Sequence, residues 1–152
     1  MKKLLGVLFL SMILAKSAFA GTTIPWTKEG CQSVKGTWIT ARSATDSGCD
    51  AAHCNGMNFC RGPVAMNWFS AMIWCQSIGH KVASWANACP GMPTGSAPCA
   101  NLNGVGSGYG WTGTSTNEQQ ALTIELSNGG VLGYNRNYSS FNQRFTPPLC
   151  EE

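Results

Sequence analysis

The densest contact chemistry in the chain runs from Tyr134 to Phe145, which reads Tyr-Asn-Arg-Asn-Tyr-Ser-Ser-Phe-Asn-Gln-Arg-Phe. Tyrosine offers a broad amphipathic face at low entropy cost, arginine a planar fork of donors, and asparagine and serine adaptable hydrogen bonds. That combination is typical of protein paratopes. Tyr134, Arg136, Asn137, Tyr138, Phe141 and Arg144 are therefore the candidate ligand-binding residues, with Glu118, Gln119 and Gln120 as a polar rim. A competing account assigns Tyr138, Phe141 and Phe145 to the core and leaves the polar residues to solvate a loop. Asn137-Tyr138-Ser139 also matches the N-glycosylation acceptor pattern, which a short bacterial-looking leader makes coincidental.

Material for catalysis is thinner. His53 stands between Asp50 and Cys54, with Asp46 shortly before, so a base–carboxylate pair or a small metal cluster can be drawn there. The spacing fits no strong motif, and a surface histidine in a disulfide-tied arm accounts for it. His80 follows Gly79 at the expected end of a helix, where a positive charge suits the helix dipole. A cysteine nucleophile needs a free thiolate, which an oxidising compartment disfavours. No catalytic residue, metal ligand or cofactor is assigned, and the chain is read as a non-enzyme. Among the six tryptophans, Trp68 and Trp111 are expected to pack in the core. An exposed Trp74 or Trp26 would be a contact residue.

These residues sit in a chain of 152, 43% hydrophobic and only 11% charged, which supports one globular domain with a real core. Lys2 and Lys3, the apolar run Leu4 to Ala15, and Ala18-Phe19-Ala20 form an export signal over residues 1–20, cleaved before Gly21. That run is too short for a retained membrane span. Without Lys2, Lys3 and Lys16, 7 Lys/Arg balance 7 Asp/Glu. A neutral mature chain has no field for phosphates, so nucleic acid is not an expected partner. Oligomeric state is not legible.

The eight cysteines, at 31, 49, 54, 60, 75, 89, 99 and 150, form an even set with no Cys-x-x-Cys pair. In an exported chain they read as a disulfide framework of up to four bridges, whose connectivity spacing alone leaves open. Residues 21–55 form a cysteine-rich arm, irregular or short-stranded, too poor in apolar residues to be an independent domain. Thr37 to Ile39 and Met57 to Phe59 are expected short strands. Asn67 caps a helix over Trp68 to Ile78, with Trp68, Ala71, Cys75 and Ile78 on one face and Gly79 ending it. Ser84 caps a shorter helix over Trp85 to Ala88, stopped by Cys89-Pro90. Residues 90–110 are a long loop that a bridge such as Cys89 to Cys99 would fasten. Trp111 opens a buried strand. Leu122, Ile124 and Leu126 alternate with Thr123, Glu125 and Ser127 as a strand with one wet face, and Asn128-Gly129-Gly130 turns it back into Val131 and Leu132. A last strand near Arg144 to Cys150 is confined in part to an edge or bulge by Pro147 and Pro148. The order of elements predicts an α+β fold, two short helices packed on small antiparallel sheets.

From Gly56 onward the chain resembles the C-type lectin-like domain family. The resemblance rests on Asn67-Trp68-Phe69-Ser70-Ala71, Cys75, Gly79 and Val82-Ala83-Ser84, similar to that family's first-helix signature. Gly56-Met57-Asn58-Phe59 resembles its first strand, Trp111-Thr112-Gly113 its Trp-Ile-Gly core segment, and Leu149-Cys150-Glu151 its closing strand. The resemblance implies a domain over residues 56–152 and a bridge between Cys75 and Cys150. The Glu-Pro-Asn or Gln-Pro-Asp and Trp-Asn-Asp triplets of calcium-dependent sugar binders do not occur here, and Glu118 and Glu125 are the only carboxylates between Cys89 and Cys150. Calcium takes about six to eight oxygen ligands. The resemblance is therefore to a calcium-independent bacterial branch of adhesins and retroelement-diversified display proteins. It implies an exported module, in the periplasm, at the cell surface or outside, that binds a protein or glycan surface. The alternatives are a structural or accessory part of a cell-envelope or surface assembly, and a small secreted enzyme using the His53 region.

Overall fold

The computed structural model describes residues 21–136 and 146–152. The predicted signal at 1–20 and the candidate residues Asn137, Tyr138, Phe141 and Arg144 lie outside the described residues. The fold is α+β, with short helices, two small antiparallel sheets and four disulfides.

Among the described residues the first element is a helix the sequence did not announce. In α1 (Lys28–Ser33) the Thr27 hydroxyl accepts from the Gly30 N–H at 3.0 Å, and Glu29 lies in the first turn. Six residues with an internal glycine give almost no periodic signal, so a cap and tertiary contact carry this helix. β1 (Thr37–Thr40) then pairs antiparallel with β2 (Asn58–Arg61), Ile39 opposite Phe59. Ile24, Cys31, Ile39 and Ala41 are all buried, so the arm contributes to the core.

α2 (Trp68–Ser77) follows the expected pattern, with the Asn67 side chain accepting from the Ser70 N–H at 2.8 Å. Its Trp68, Ala71 and Cys75, with Ile78 at the C-cap, are buried as one face. Gly79 takes φ +86°, and a Cβ there would come within 2.4 Å of Thr23. The helix therefore ends where only glycine is unstrained. β3 (Lys81–Val82) leads to Ser84, whose hydroxyl accepts from the Asn87 N–H at 3.3 Å and caps α3 (Trp85–Ala88).

β4 (Tyr109–Ser115), β5 (Gln120–Glu125) and β6 (Val131–Asn135) form the three-stranded sheet, and β7 (Leu149–Glu151) completes the other in the order β1-β2-β7-β3. The Asn128-Gly129-Gly130 turn forms as expected: Asn128 Oδ1 accepts from the Gly130 N–H at 2.7 Å and Gly129 has φ +70°. Two details differ from the period-2 reading. Thr123 is fully buried, its hydroxyl donating to the Leu132 carbonyl at 3.3 Å, while Leu132 is exposed. β7 is interior to its sheet because it begins after the two prolines. Pro147 and Pro148 serve as acceptors only, from the Trp111 and Gly62 N–H groups at 2.9 and 2.8 Å. Through the same Pro147–Trp111 bond and an isolated Trp111–Pro148 bridge, the two sheets meet.

The four bridges are Cys31–Cys60, Cys49–Cys54, Cys75–Cys150 and Cys89–Cys99. Each fully engaged tryptophan satisfies its indole N–H inside the core: Trp68 donates to Thr112 O at 2.8 Å, Trp85 to Met92 O at 2.9 Å and Trp111 to Met66 O at 2.7 Å. A buried indole contributes large apolar area at little cost when its single donor is met.

Candidate functional site

Of the six candidate contact residues, Tyr134 and Arg136 are described, and β6 delivers both to the N-terminal end of α2. Tyr134 is half-buried, its ring edge-on to Trp111 and Tyr109 with centroids 6.3 and 6.4 Å away. Arg136 lies with its guanidinium carbon 4.9 Å from the centre of the Trp68 ring. Its side chain donates to the Asn117 carbonyl, and its backbone N–H donates to Gln119 O at 2.8 Å. Arg136 thus spans from the helix to the β4–β5 turn, where Asn117 Oδ1 accepts from both Gln119 and Gln120 N–H groups at 2.8 Å. The expected rim of Glu118, Gln119 and Gln120 is exposed and adjoins Arg136 through this backbone bond. Arg136 Nε is buried without a hydrogen-bond partner among the described residues.

Both ends of segment 137–145 are fixed to the same place. On the leading side the Trp68 N–H donates to Arg136 O at 3.2 Å; on the trailing side the Met66 N–H donates to Thr146 O at 3.3 Å. The two anchors flank Asn67, the N-cap of α2. Arg136 and Thr146, the described residues on either side of that segment, are therefore held at neighbouring points, beside a helix whose buried face is linked to β7 through Cys75–Cys150. Sequence spacing could not reveal this clasp, since its two bonds join residues 68 and 80 positions apart.

The His53 region has a local structural role. Asp50 Oδ1 accepts from the Ala52 and His53 backbone N–H groups, each at 2.9 Å, and meets His53 Nδ1 at 2.8 Å. Cys49–Cys54 closes the turn around them. The His53 imidazole hydrogen bond is the largest influence and, with those backbone donors, outweighs the opposing desolvation, holding the Asp50 carboxyl below its ordinary 3.8. A depressed carboxyl contributes stability above the ordinary value and loses it as pH falls through the lower folded value. Carbonyl-detected NMR titration should therefore find the Asp50 midpoint below 3.8, and His53→Ala should move it upward. An unmoved midpoint would mean that the imidazole does not act on this carboxyl.

His80 meets Ile24 O through Nε2 at 3.0 Å and lies 4.5 Å from the Trp26 ring. Its backbone N–H also closes the helix end by donating to Cys75 O at 2.9 Å. All eight cysteines are bridged, and no three His, Cys, Asp or Glu residues among those described lie close enough to hold a metal. No tryptophan is openly exposed: Trp26 and Trp74 are half-buried, Trp26 packing 5.2 Å from Trp38. The outward aromatic and aliphatic groups are instead Phe69 and Ile73, 47% and 65% exposed one turn apart on α2, together with Val64 and Leu132.

A second polar locus went unread in the sequence. Glu151, fully buried, accepts from Asn87 Nδ2 at 3.0 Å, and Lys81 Nζ stands 3.6 Å from its other oxygen. Residue 151 is the end of a short strand, and nothing local marks its side chain as buried. Only the register of β3 with β7, Lys81 opposite Glu151, brings the charges together.

No protein-family model matches the chain, and no curated protein matches it in sequence.

Proposed function

We propose that this chain is an exported, calcium-independent binding module of C-type lectin-like fold that recognises a protein or glycan surface, with no chemical step of its own. The observation that carries the reading is the clasp at Asn67: a Tyr-, Asn- and Arg-rich segment held at both ends by a disulfide-clamped scaffold. Binding residues on loops need such rigid stems, because the ordering cost is then met in folding and not in association. The lectin-like reading draws support from the α+β layout, from the helix–strand bridge Cys75–Cys150, and from β7 pairing between β2 and β3.

Calcium independence is supported by the commitments of the late carboxylates. Glu125 Oε2 accepts from the Tyr109 hydroxyl at 2.9 Å and its Oε1 from Ser127 at 3.1 Å. Glu118 lies apart on an exposed turn. Four disulfides require an oxidising compartment to form, in keeping with export. Among the described residues no helix is long and apolar enough to cross a membrane.

Panning the oxidised protein against glycans and against host and envelope proteins, with and without a chelator, tests the reading. Binding should survive chelation, and Tyr138→Ala or Arg136→Ala should each weaken it about tenfold, the scale of an interface anchor. Retention unchanged in folded variants would remove the assignment, as would loss of binding with the chelator. A second reading, an accessory part of a surface assembly, is favoured by the paired exposure of Phe69 and Ile73. It expects a dedicated partner chain and no affinity for free ligands.

A further inference from the structure

We propose that the cleft between α2, β3 and the β4 strand binds an alkylammonium group, a primary amine on an aliphatic stem, which takes the place of Lys81 opposite Glu151. This site is separate from the Tyr134–Arg136 surface and does not depend on the function proposed there.

The cleft encloses about 370 Å³ and is walled by Met72 and Val82, with Gln76, Ser84 and Thr114 supplying polar groups and Glu151 lining it. That is within the range of roughly 300–1,000 Å³ usual for small-ligand sites. Its charge anchor is unusual. The Glu151 side chain is only 2% exposed, yet among the described residues it accepts one hydrogen bond, from Asn87. A carboxylate has room for about four. A charge so withdrawn from water is costly unless further donors reach it.

The nearest further donor is Lys81 Nζ at 3.6 Å, beyond hydrogen-bond length, from a side chain 65% exposed. The position facing Glu151 Oε1 therefore already accommodates an ammonium, but holds it loosely. An exposed partner of this kind contributes little and is readily displaced. An incoming ammonium that closes to hydrogen-bond distance makes the stronger, charge-assisted contact.

The remaining lining suits the same group. The Ser84 and Thr114 oxygens are fixed by accepting from the Asn87 and Trp85 backbone N–H groups at 3.3 and 3.2 Å, and each retains a second lone pair. An ammonium brings three donors and no acceptor, matching one carboxylate and neighbouring hydroxyl or amide oxygens. Met72 and Val82 offer apolar surface to the stem, as aliphatic walls do for lysine side chains. An anion would meet Glu151, and an uncharged alcohol would gain nothing by displacing Lys81. The amine can come from a small molecule or from a lysine of a partner protein; the chemistry read by the cleft is the same.

The test is a titration of the intact, oxidised protein followed through backbone amide shifts, with n-butylammonium against n-butanol. Butylammonium should saturably shift Val82, Ser84 and Thr114, while butanol at equal concentration should not. Glu151→Gln should weaken binding about tenfold, the loss of a hydrogen bond to a charged acceptor. Because that change touches a buried group, Lys81→Met on the exposed strand is the decisive variant: removing the resident ammonium should tighten butylammonium about threefold. A purely structural Lys81 gives no gain. Equal shifts from butanol, or affinity unchanged or lowered in Lys81→Met, would overturn the proposal. A peptide with one central lysine, run in parallel, separates the sources. Tighter binding than butylammonium points to a partner's side chain, and equal binding to a free amine, both supporting the site.

Discussion

Replacing Cys75 and Cys150 together by alanine is expected to lower the stability of the folded chain by about 4 kcal/mol, the largest effect of any single bridge. The two residues are 75 positions apart, so their link removes far more freedom from the unfolded chain than Cys49–Cys54, which spans 5. On the same chain-entropy account the short bridge contributes about 2 kcal/mol. Both sulfurs of the long bridge are buried between α2 and β7, so the loss falls on the joint that holds the closing strand against the helix. Urea unfolding of the two double variants checks this, read as the unfolding free energy extrapolated to water, since a freer unfolded chain also steepens the slope. Equal losses from both pairs would show that loop length is not what sets the contribution.

Asn101→Ala is expected to cost about 3 kcal/mol, a large loss for one neutral side chain. Asn101 is fully buried in a short 3-10 turn, Ala100–Leu102, and its three hydrogen bonds join parts of the chain distant in sequence. Its Nδ2 donates to Asn87 O at 3.1 Å and to Ala88 O at 3.0 Å, while its Oδ1 accepts from the Asn55 N–H at 3.1 Å. Its backbone carbonyl also accepts from the Arg42 N–H at 2.9 Å. Truncation leaves the Asn55 donor and the Ala88 acceptor without their amide partner, and opens space where the arm, α3 and the long loop meet. Asn87 O keeps its bond from Asn55 Nδ2 at 2.8 Å, which limits the damage. Thermal unfolding of Asn101→Ala beside Asn103→Ala, a half-buried neighbour, measures the effect. Similar melting points for the two would mean that the amide is not a structural joint.

The same Asn87 that helps to hold this joint also donates to Glu151, so the arm, α3 and the end of β7 are tied through one short helix. That continuity explains why residues 21–55, poor in apolar groups, are not a loose appendage. Their backbone is drawn in by Asn55 and Arg42, and Cys31–Cys60 fastens α1 to β2.

Elements with a local signature were legible. Asn67 and Ser84 occupy the N-caps read for them, Gly79 ends α2 with positive φ, and the Asn-Gly-Gly turn joins β5 to β6. Cys89–Cys99, a ten-residue separation inside one loop, was also within reach. α1 escaped because six residues carry too few repeats for a periodic pattern. The wet face expected for β5 failed at Thr123, since alternation reports only polarity and a hydroxyl that donates to Leu132 O can be buried. Trp26 and Trp74 were held open as exposed contacts, whereas both are half-buried and Phe69 and Ile73 face outward. Residue type does not say which side of α2 meets a partner when both sides are apolar.

Composition and short-range spacing by themselves determined the α+β class, the helix caps, the main hairpin and the need for a disulfide framework, because each depends on residues within a few positions of one another. The connectivity of Cys31–Cys60, the clasp of Arg136 and Thr146 about Asn67, and the meeting of Lys81 with Glu151 were decided only by the tertiary structure. Each joins groups whose proximity follows from strand register and sheet order, and register is the collective outcome of how the whole core packs.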